Sequence, residues 1–279
     1  MKTTMLPIQR YNSTVLSLAC VFVLALSGCS ISFLGFEYKR GEKAEDKKNY
    51  TQAITHYSKV IHREPDSELA LSAANRAARI AFFETKNFLE AIEFYLHVVK
   101  YSKNDVERRS AQKNIANIYF QNLNDYSKAI DEYNKLLLLR NSTEENYEIK
   151  MNLAKAHFNL NQFSDAESEV QDALKFAAED NKKFDANSFL ASVYFNTKRV
   201  EEAIKIYERL MQEYPERARA ENVEMNIIVS YEEVEAFDKA IAKLEILRER
   251  YHDPEFIDLK IRRLKERKAN LPGSRGLRK

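Results

Sequence analysis

Five histidines, His56, His62, His97, His157 and His252, are the side chains best able to exchange a proton near neutral pH. No two of them form a His-x-x-x-His pair, and His56 and His62, six apart, fall on different faces of any helix. Each reads as an ordinary surface or boundary histidine. A glycine-rich phosphate loop and a serine elbow are missing. Carboxylates pair in sequence at Glu144-Glu145, Glu201-Glu202 and Glu232-Glu233. Acid–base work needs two carboxyls facing each other across a cleft with one desolvated, whereas neighbours on a helix diverge by about 100 degrees, so these pairs read as wetted faces. Only two cysteines occur, Cys20 and Cys29, both in the N-terminal apolar stretch, which leaves the body without a disulfide framework or a thiolate metal site. No catalytic residue, metal or cofactor is expected.

What remains is a chain built for packing. Among 279 residues, glycine and proline number five each, too few for the turns of a β-rich fold and suited to long helices with short links. Fifteen Tyr and 16 Phe supply large rings to bury between them. The net charge of +2 averages unlike regions. From Glu255 onward nine Lys or Arg face three acids, a net of +6, and residues 29–254 sum to about −6. An acidic body carries a basic tail.

Lys2 and Arg10 precede Val15 to Leu26, a run of twelve mostly apolar residues, which is followed by Ser27, Gly28 and Cys29. A basic start, a short apolar run and small residues before a cleavage point read as an export signal over residues 1–28. The Leu-Ser-Gly-Cys stretch resembles a bacterial lipobox. That resemblance implies acylation of Cys29 after cleavage, residues 29–35 as a lipidated tether, and, with Ser30 rather than aspartate next, the periplasmic face of the outer membrane. The alternative is a retained anchor: Val15 to Phe36 is 22 residues without charge, long enough to cross a bilayer, and would place the protein in the inner membrane.

The body repeats itself. Six segments share one pattern: Tyr50-Thr-Gln-Ala53-Ile54, Phe88-Leu-Glu-Ala91-Ile92, Tyr126-Ser-Lys-Ala129-Ile130, Phe163-Ser-Asp-Ala166-Glu167, Val200-Glu-Glu-Ala203-Ile204 and Phe237-Asp-Lys-Ala240-Ile241. Their alanines are 38, 38, 37, 37 and 37 residues apart. Four residues beyond each alanine stands Tyr57, Tyr95, Tyr133, Val170, Tyr207 or Leu244, on the same helical face. Twelve or thirteen residues before each lies a small or apolar pair that marks a preceding helix: Arg40-Gly41, Ala78-Arg79, Ala116-Asn117, Leu153-Ala154, Leu190-Ala191 and Ile227-Ile228. The spacing predicts six helix pairs over residues 36–250, at 36–47/50–63, 68–84/88–101, 106–121/126–139, 144–159/163–177, 181–196/200–213 and 217–234/237–250. Small residues let paired helices approach closely, and the apolar face of each hairpin can be covered only by the next. A helix over 255–268 is expected to cap the stack through Phe256, Ile257, Leu259 and Leu264, with a disordered basic tail over 269–279.

This pattern resembles the tetratricopeptide repeat (TPR) family, in its paired small and aromatic positions, its aromatic-x-x-Ala second helices and the closing Pro65 and Pro215. The resemblance implies an all-α, right-handed superhelix of about six hairpins that acts as a scaffold. It also implies a concave face lined by first helices that takes a protein or peptide partner. Carried over by register, that face comprises Arg76, Ile80, Phe83, Asn114, Ile118, Gln121, Met151, Lys155, Phe158, Asn159, Ser188, Ser192, Phe195 and Asn196. Lipobox, repeats and length together look like the lipoprotein subunit of the bacterial outer-membrane β-barrel assembly machine, which implies a role in envelope protein assembly. A pilotin-like or motility-complex lipoprotein and a regulator of a peptidoglycan enzyme are the alternatives. The basic set Lys260, Arg262, Arg263, Lys265, Arg267 and Lys268 is a second candidate surface for an anionic partner or membrane, with nucleic acid set aside by export.

Overall fold

The computed structural model describes residues 33–271, all of whose regular structure is helical. Residues 1–32, with the expected export signal and Cys29, and residues 272–279, with most of the expected disordered tail, lie outside the described residues. Residues 33–46 form α1, followed by α2 (Tyr50–Arg63), α3 (Glu68–Arg79), α4 (Phe88–Tyr101), α5 (Asp105–Asn117), α6 (Tyr126–Leu137) and α7 (Thr143–Asn159). The remainder are α8 (Phe163–Phe176), α9 (Asp180–Asn196), α10 (Val200–Glu213), α11 (Pro215–Ala220), α12 (Val223–Glu233), α13 (Phe237–Arg248) and α14 (Pro254–Ala269). The chain divides into two compact units, residues 1–123 and 124–279.

The even-numbered helices from α2 to α10, and then α13, open on the first residue of each repeated segment. Five residues before each repeat alanine the backbone turns left-handed, at Lys48, Lys86, Asn124, Asn161, Lys198 and Glu235, with φ between 52° and 63°. That residue reverses the chain between the helices of a pair. In the first three turns the following Asn49, Asn87 or Asp125 then caps the new helix, its side chain accepting the backbone N–H of Gln52, Glu90 or Lys128. Each such cap contributes about 0.5–2 kcal/mol. Ser142 and Glu145 close a reciprocal capping box at the start of α7.

In the first unit, α2 packs on α3, α3 on α4 and α4 on α5. Helix α3 buries Ala70, Ala73, Ala74, Ala77 and Ala78 completely, so its backbone lies close against both neighbours. In the second unit α6 to α10 pack in succession, α10 meets α12, and α13 lies between α12 and α14. All six repeat alanines, Ala53, Ala91, Ala129, Ala166, Ala203 and Ala240, are fully buried.

Three local features depart from the sequence expectation. The sixth first helix, expected as one piece, is broken at Asn222, whose φ of 56° ends α11 and restarts the chain as α12. Pro215 stands just beyond the end of α10, as a closing proline should, and also opens α11 as its first residue, ahead of the expected start at 217, where its missing N–H costs nothing. In α14 the capping side chains are Ile257, Ile261 and Leu264, all buried, whereas Phe256 and Leu259 point outward.

The two remaining segments, Ile80–Glu84 and Ile118–Asn122, are single π-helical turns that continue α3 and α5. In each, an N–H reaches back five residues: Thr85 to the Ile80 carbonyl at 3.1 Å and Leu123 to that of Ile118 at 3.0 Å. The cause can be read in the repeat spacing. From small contact residue to repeat alanine the chain runs twelve residues in Gly41–Ala53, Ala154–Ala166, Ala191–Ala203 and Ile228–Ala240, but thirteen in Ala78–Ala91 and Ala116–Ala129. Both contacts are fixed by packing, so the extra residue widens one helical turn.

Candidate functional site

The two π turns flank a groove of the first unit. It encloses about 520 Å³ and is lined by Asn75, Arg79, Phe82 and Phe83 from α3 and its π turn, Tyr95 from α4, and Ser110, Asn114, Asn117, Ile118, Gln121 and Asn122 from α5 and its π turn. Ile118 forms its floor and is buried, as is Ile80 at the equivalent place in the preceding repeat. Phe82 turns inward, edge-on to Phe88 at 5.6 Å, while its neighbour Phe83 stands 56% exposed at the rim. The Tyr95 hydroxyl is hydrogen-bonded by Asn114, and burial holds its pKa above the ordinary phenol value. This ring is therefore a neutral wall.

Asn75 and Arg79 also line an adjoining hollow of about 580 Å³ bounded by Asp66, Glu68, Ser72, Tyr101 and Asn104. Arg79 is the one ionic side chain of the first groove, and no carboxylate holds it among the described residues. Arg76, one turn earlier, is spent differently. It bridges Glu42 at 3.1 Å and Glu45 at 2.9 Å on α1, and Glu45 also accepts the Tyr57 hydroxyl at 2.7 Å. That network ties the first two repeats together.

In the second unit a smaller hollow of about 190 Å³ gathers Ser192, Phe195, Asn196, Asn226 and Val229 over Tyr207. Its polar groups are largely satisfied within their own helix: Ser192 Oγ donates to the Ser188 carbonyl at 3.1 Å and Asn196 Nδ2 to that of Ser192 at 2.8 Å. In α7, Lys155 and Asn159 are exposed, with Asn159 Nδ2 donating to the Lys155 carbonyl at 2.7 Å. Phe158 packs between repeats, its ring 5.3 Å from Phe163 and 5.4 Å from Phe189.

Of the positions carried over by register, the structure brings Phe83, Asn114, Ile118 and Gln121 together in the main groove and Ser192, Phe195 and Asn196 in the smaller one. Ile80 and Met151 are corrected to core positions, 3% and 5% exposed. Ile80 is turned in where the π turn begins, and Met151 sits in the second unit's core with Tyr147, Ala154 and Val170. Register alone missed Asn75, Arg79, Phe82, Tyr95, Ser110, Asn117 and Asn122. For Phe82 and Asn122, which lie within the widened turns, the thirteen-residue spacing was the available signal, because one added residue rotates the face presented beyond it.

Three of the five histidines serve the framework, and His62 and His252 are exposed. His56 Nδ1 meets Glu37 at 2.7 Å, His97 Nε2 donates to the Pro65 carbonyl at 2.8 Å, and His157 Nδ1 meets Gln162 at 2.7 Å. Among the described residues no cluster of three His, Cys, Asp or Glu is placed to hold a metal, and no helix is long and apolar enough to cross a membrane. The basic residues of α14 are mostly engaged: Lys260 and Arg267 contact Glu232, Lys265 contacts Glu245, and Lys268 contacts Asp238. Arg262 and Arg263 face solvent.

A tetratricopeptide repeat model matches residues 118–182 and 151–218. No curated protein matches the chain. Among solved structures, a tetratricopeptide repeat protein from Parabacteroides merdae is similar at 18% identity, with a TM-score of 0.52 over 85% of this chain and 88% of that one. The nearly identical TPR-like repeats of a protein from Podosopora anserina are similar at 17% identity, with a TM-score of 0.50 over 72% and 98%. These likenesses establish the fold: the chain is an all-α array of tetratricopeptide-type hairpins, with the family's sequence pattern carried by residues 118–218.

Proposed function

We propose that this protein is a membrane-tethered, periplasm-facing adaptor that holds an extended peptide segment of a partner in the groove between α3 and α5, in the service of envelope protein assembly. Tetratricopeptide folds bind protein partners on surfaces lined by successive first helices. The observation that carries the reading to this chain is the groove's lining: the amides of Asn75, Asn114 and Asn122 beside the exposed ring of Phe83 and the uncommitted Arg79. Amides offer both a donor and an acceptor to a peptide backbone, the ring takes an apolar side chain, and the guanidinium takes a carboxylate. The tether rests on the Leu-Ser-Gly-Cys stretch ending at Cys29, and the outer-membrane site on Ser30 after it.

The test is photo-crosslinking from position 83 of the native protein in its own membrane, followed by identification of the captured partner. The reading requires capture of a defined envelope protein, lost when Asn114 and Arg79 are both replaced by Ala. Recovery of barrel-assembly subunits supports assembly. Recovery of secretin or motility components, or of a peptidoglycan enzyme, reassigns the adaptor. No capture, or capture indifferent to those substitutions, overturns the groove.

A further inference from the structure

Charge is unevenly distributed along the repeats. Residues 33–63 carry Lys39, Arg40, Lys43, Lys47, Lys48, Lys59 and Arg63 against Glu37, Glu42, Glu45 and Asp46, a net of +3, whereas residues 64–254 hold 26 Lys or Arg against 35 Asp or Glu, a net of −9. The first hairpin also separates its own charges. All seven cations are exposed, while three of the four acids turn inward. Glu37 is buried between His56 at 2.7 Å and Lys59 at 3.4 Å, with the largely exposed Arg40 guanidinium at 3.5 Å, and Glu42 and Glu45 are held by Arg76.

The same hairpin exposes two rings, Phe33 at 40% and Phe36 at 59%. A guanidinium lies beside each: Arg63 is 5.2 Å from the Phe33 ring and Arg40 is 5.5 Å from that of Phe36. Phe33, Phe36, Arg40, Lys43 and Lys47 follow one another at steps of three and four, so they form a single stripe along α1 with its rings at the N-terminal end and its cations beyond. Isolated exposed rings are common on protein surfaces, but rings and cations segregated on one helix face are what an anionic bilayer interface selects.

We propose that this stripe lies on an anionic phospholipid surface, the two phenyl rings entering the headgroup region and Arg40, Lys43, Lys47 and Arg63 meeting lipid phosphates. The inference rests on the reading of Cys29 as a lipidated tether. Four residue steps from Cys29 to Phe33 span at most about 14 Å, so acylation would hold the ringed end of α1 at the interface. Within the first unit, residues 64–123 carry eight Lys or Arg against eight Asp or Glu, so the basic first hairpin is the part of that unit drawn to an anionic surface, which leaves the α3–α5 groove free to face the periplasm.

The chain has no tryptophan, so Phe36→Trp places a single fluorescent reporter in the stripe and Leu89→Trp places one at an exposed position of α4. Each full-length variant is purified from membranes and reconstituted into phosphatidylcholine vesicles with or without phosphatidylglycerol, and with brominated acyl chains as quencher. The mass of the N-terminal peptide reads acylation of Cys29 independently. The expected result is at least two-fold quenching at position 36 in anionic vesicles, most of it lost when Lys43→Glu and Lys47→Glu are added, and none at position 89. Quenching indifferent to those two charges overturns the electrostatic contact. An acylated protein whose position 36 stays as water-exposed as position 89 overturns the contact and leaves the tether standing. An unacylated chain overturns the tether, and quenching at position 36 then still decides the contact, because the stripe's rings and charges do not depend on the acyl groups.

Discussion

Gly41 shows how closely the repeats are fitted. A Cβ built on it would lie 2.6 Å from Cε1 of Tyr57, a ring with no exposed surface and with its hydroxyl committed to Glu45. Alanine is the better helix former by about 1 kcal/mol, yet overpacking a site that cannot relax costs about 1–3 kcal/mol. Gly41→Ala is therefore expected to lower the denaturant midpoint, and an unchanged or raised midpoint would show that Tyr57 can move. Glu235 gives the opposite case. At a φ of 56° its side chain strains the turn before α13, and it is exposed with no packing to lose. Glu235→Gly should stabilise the fold by about 0.5–1 kcal/mol in the same assay, the relief of left-handed strain exceeding the added backbone entropy. His97 sets a pH dependence. Burial first, with His62 and Lys100 nearby and against the Pro65 carbonyl, holds its pKa below the usual 6.5. The unfolded chain then takes up the proton first, so the contribution of His97 is complete above pH 6.5 and declines as pH falls from there toward the folded-state value. Urea unfolding at pH 7.5 and 5.5 should show that loss, and His97→Gln, which keeps a donor for Pro65, should reduce it.

At the scale of the element, the π turns at Ile80–Glu84 and Ile118–Asn122 link sequence spacing to the groove. Both repeats that hold a thirteenth residue place it between the buried alanine of the first helix and the left-handed turn, and the side chains from Phe82 and Tyr119 onward are rotated relative to a regular helix. Removing Gln121, which is exposed, should restore a twelve-residue spacing. We expect helix content to persist and melting to shift by less than about 5 °C, since a chain of this size changes by about 2–4 °C per kcal/mol. Partner capture from position 83 should nevertheless fall, because Gln121 would be gone from the lining and Asn122 would leave its place there. Melting that collapses would assign the π turn to stability instead of binding.

At the scale of the molecule, the C-terminal helix tests what holds the end of a repeat array. Ile257, Ile261 and Leu264 are buried there and cover α13, while the ion pairs to Glu232, Asp238 and Glu245 sit at its margins. Burying three such side chains contributes about 1.5–3 kcal/mol each, against about 0–1 kcal/mol for each exposed pair. Truncation before Pro254 is thus expected to expose Leu244 and Leu247 and to produce association in light scattering, whereas Glu232→Gln should leave the protein monodisperse and shift its midpoint by about 1 kcal/mol or less. Capping by charge alone would reverse that order.

Repetition made the fold legible. Six alanines at 37 or 38 residues, each with apolar or aromatic side chains four and seven residues on, point to helices, because a helix brings the four- and seven-residue positions onto one face whereas a strand would put them on opposite faces. The amphipathic period likewise placed Phe83, Asn114, Gln121 and Phe195 on first helices, where the grooves form. The tertiary structure decided which polar groups remain available: Arg76 is consumed by Glu42 and Glu45, Arg79 is not, and Lys260, Arg267 and Lys268 are neutralised by acids 28 to 35 residues away. Ion pairing depends on long side chains meeting across different helices, a relation that no local spacing encodes. The rotation at each π turn also arises only when two distant contacts, fixed by close packing, disagree with the helix by one residue.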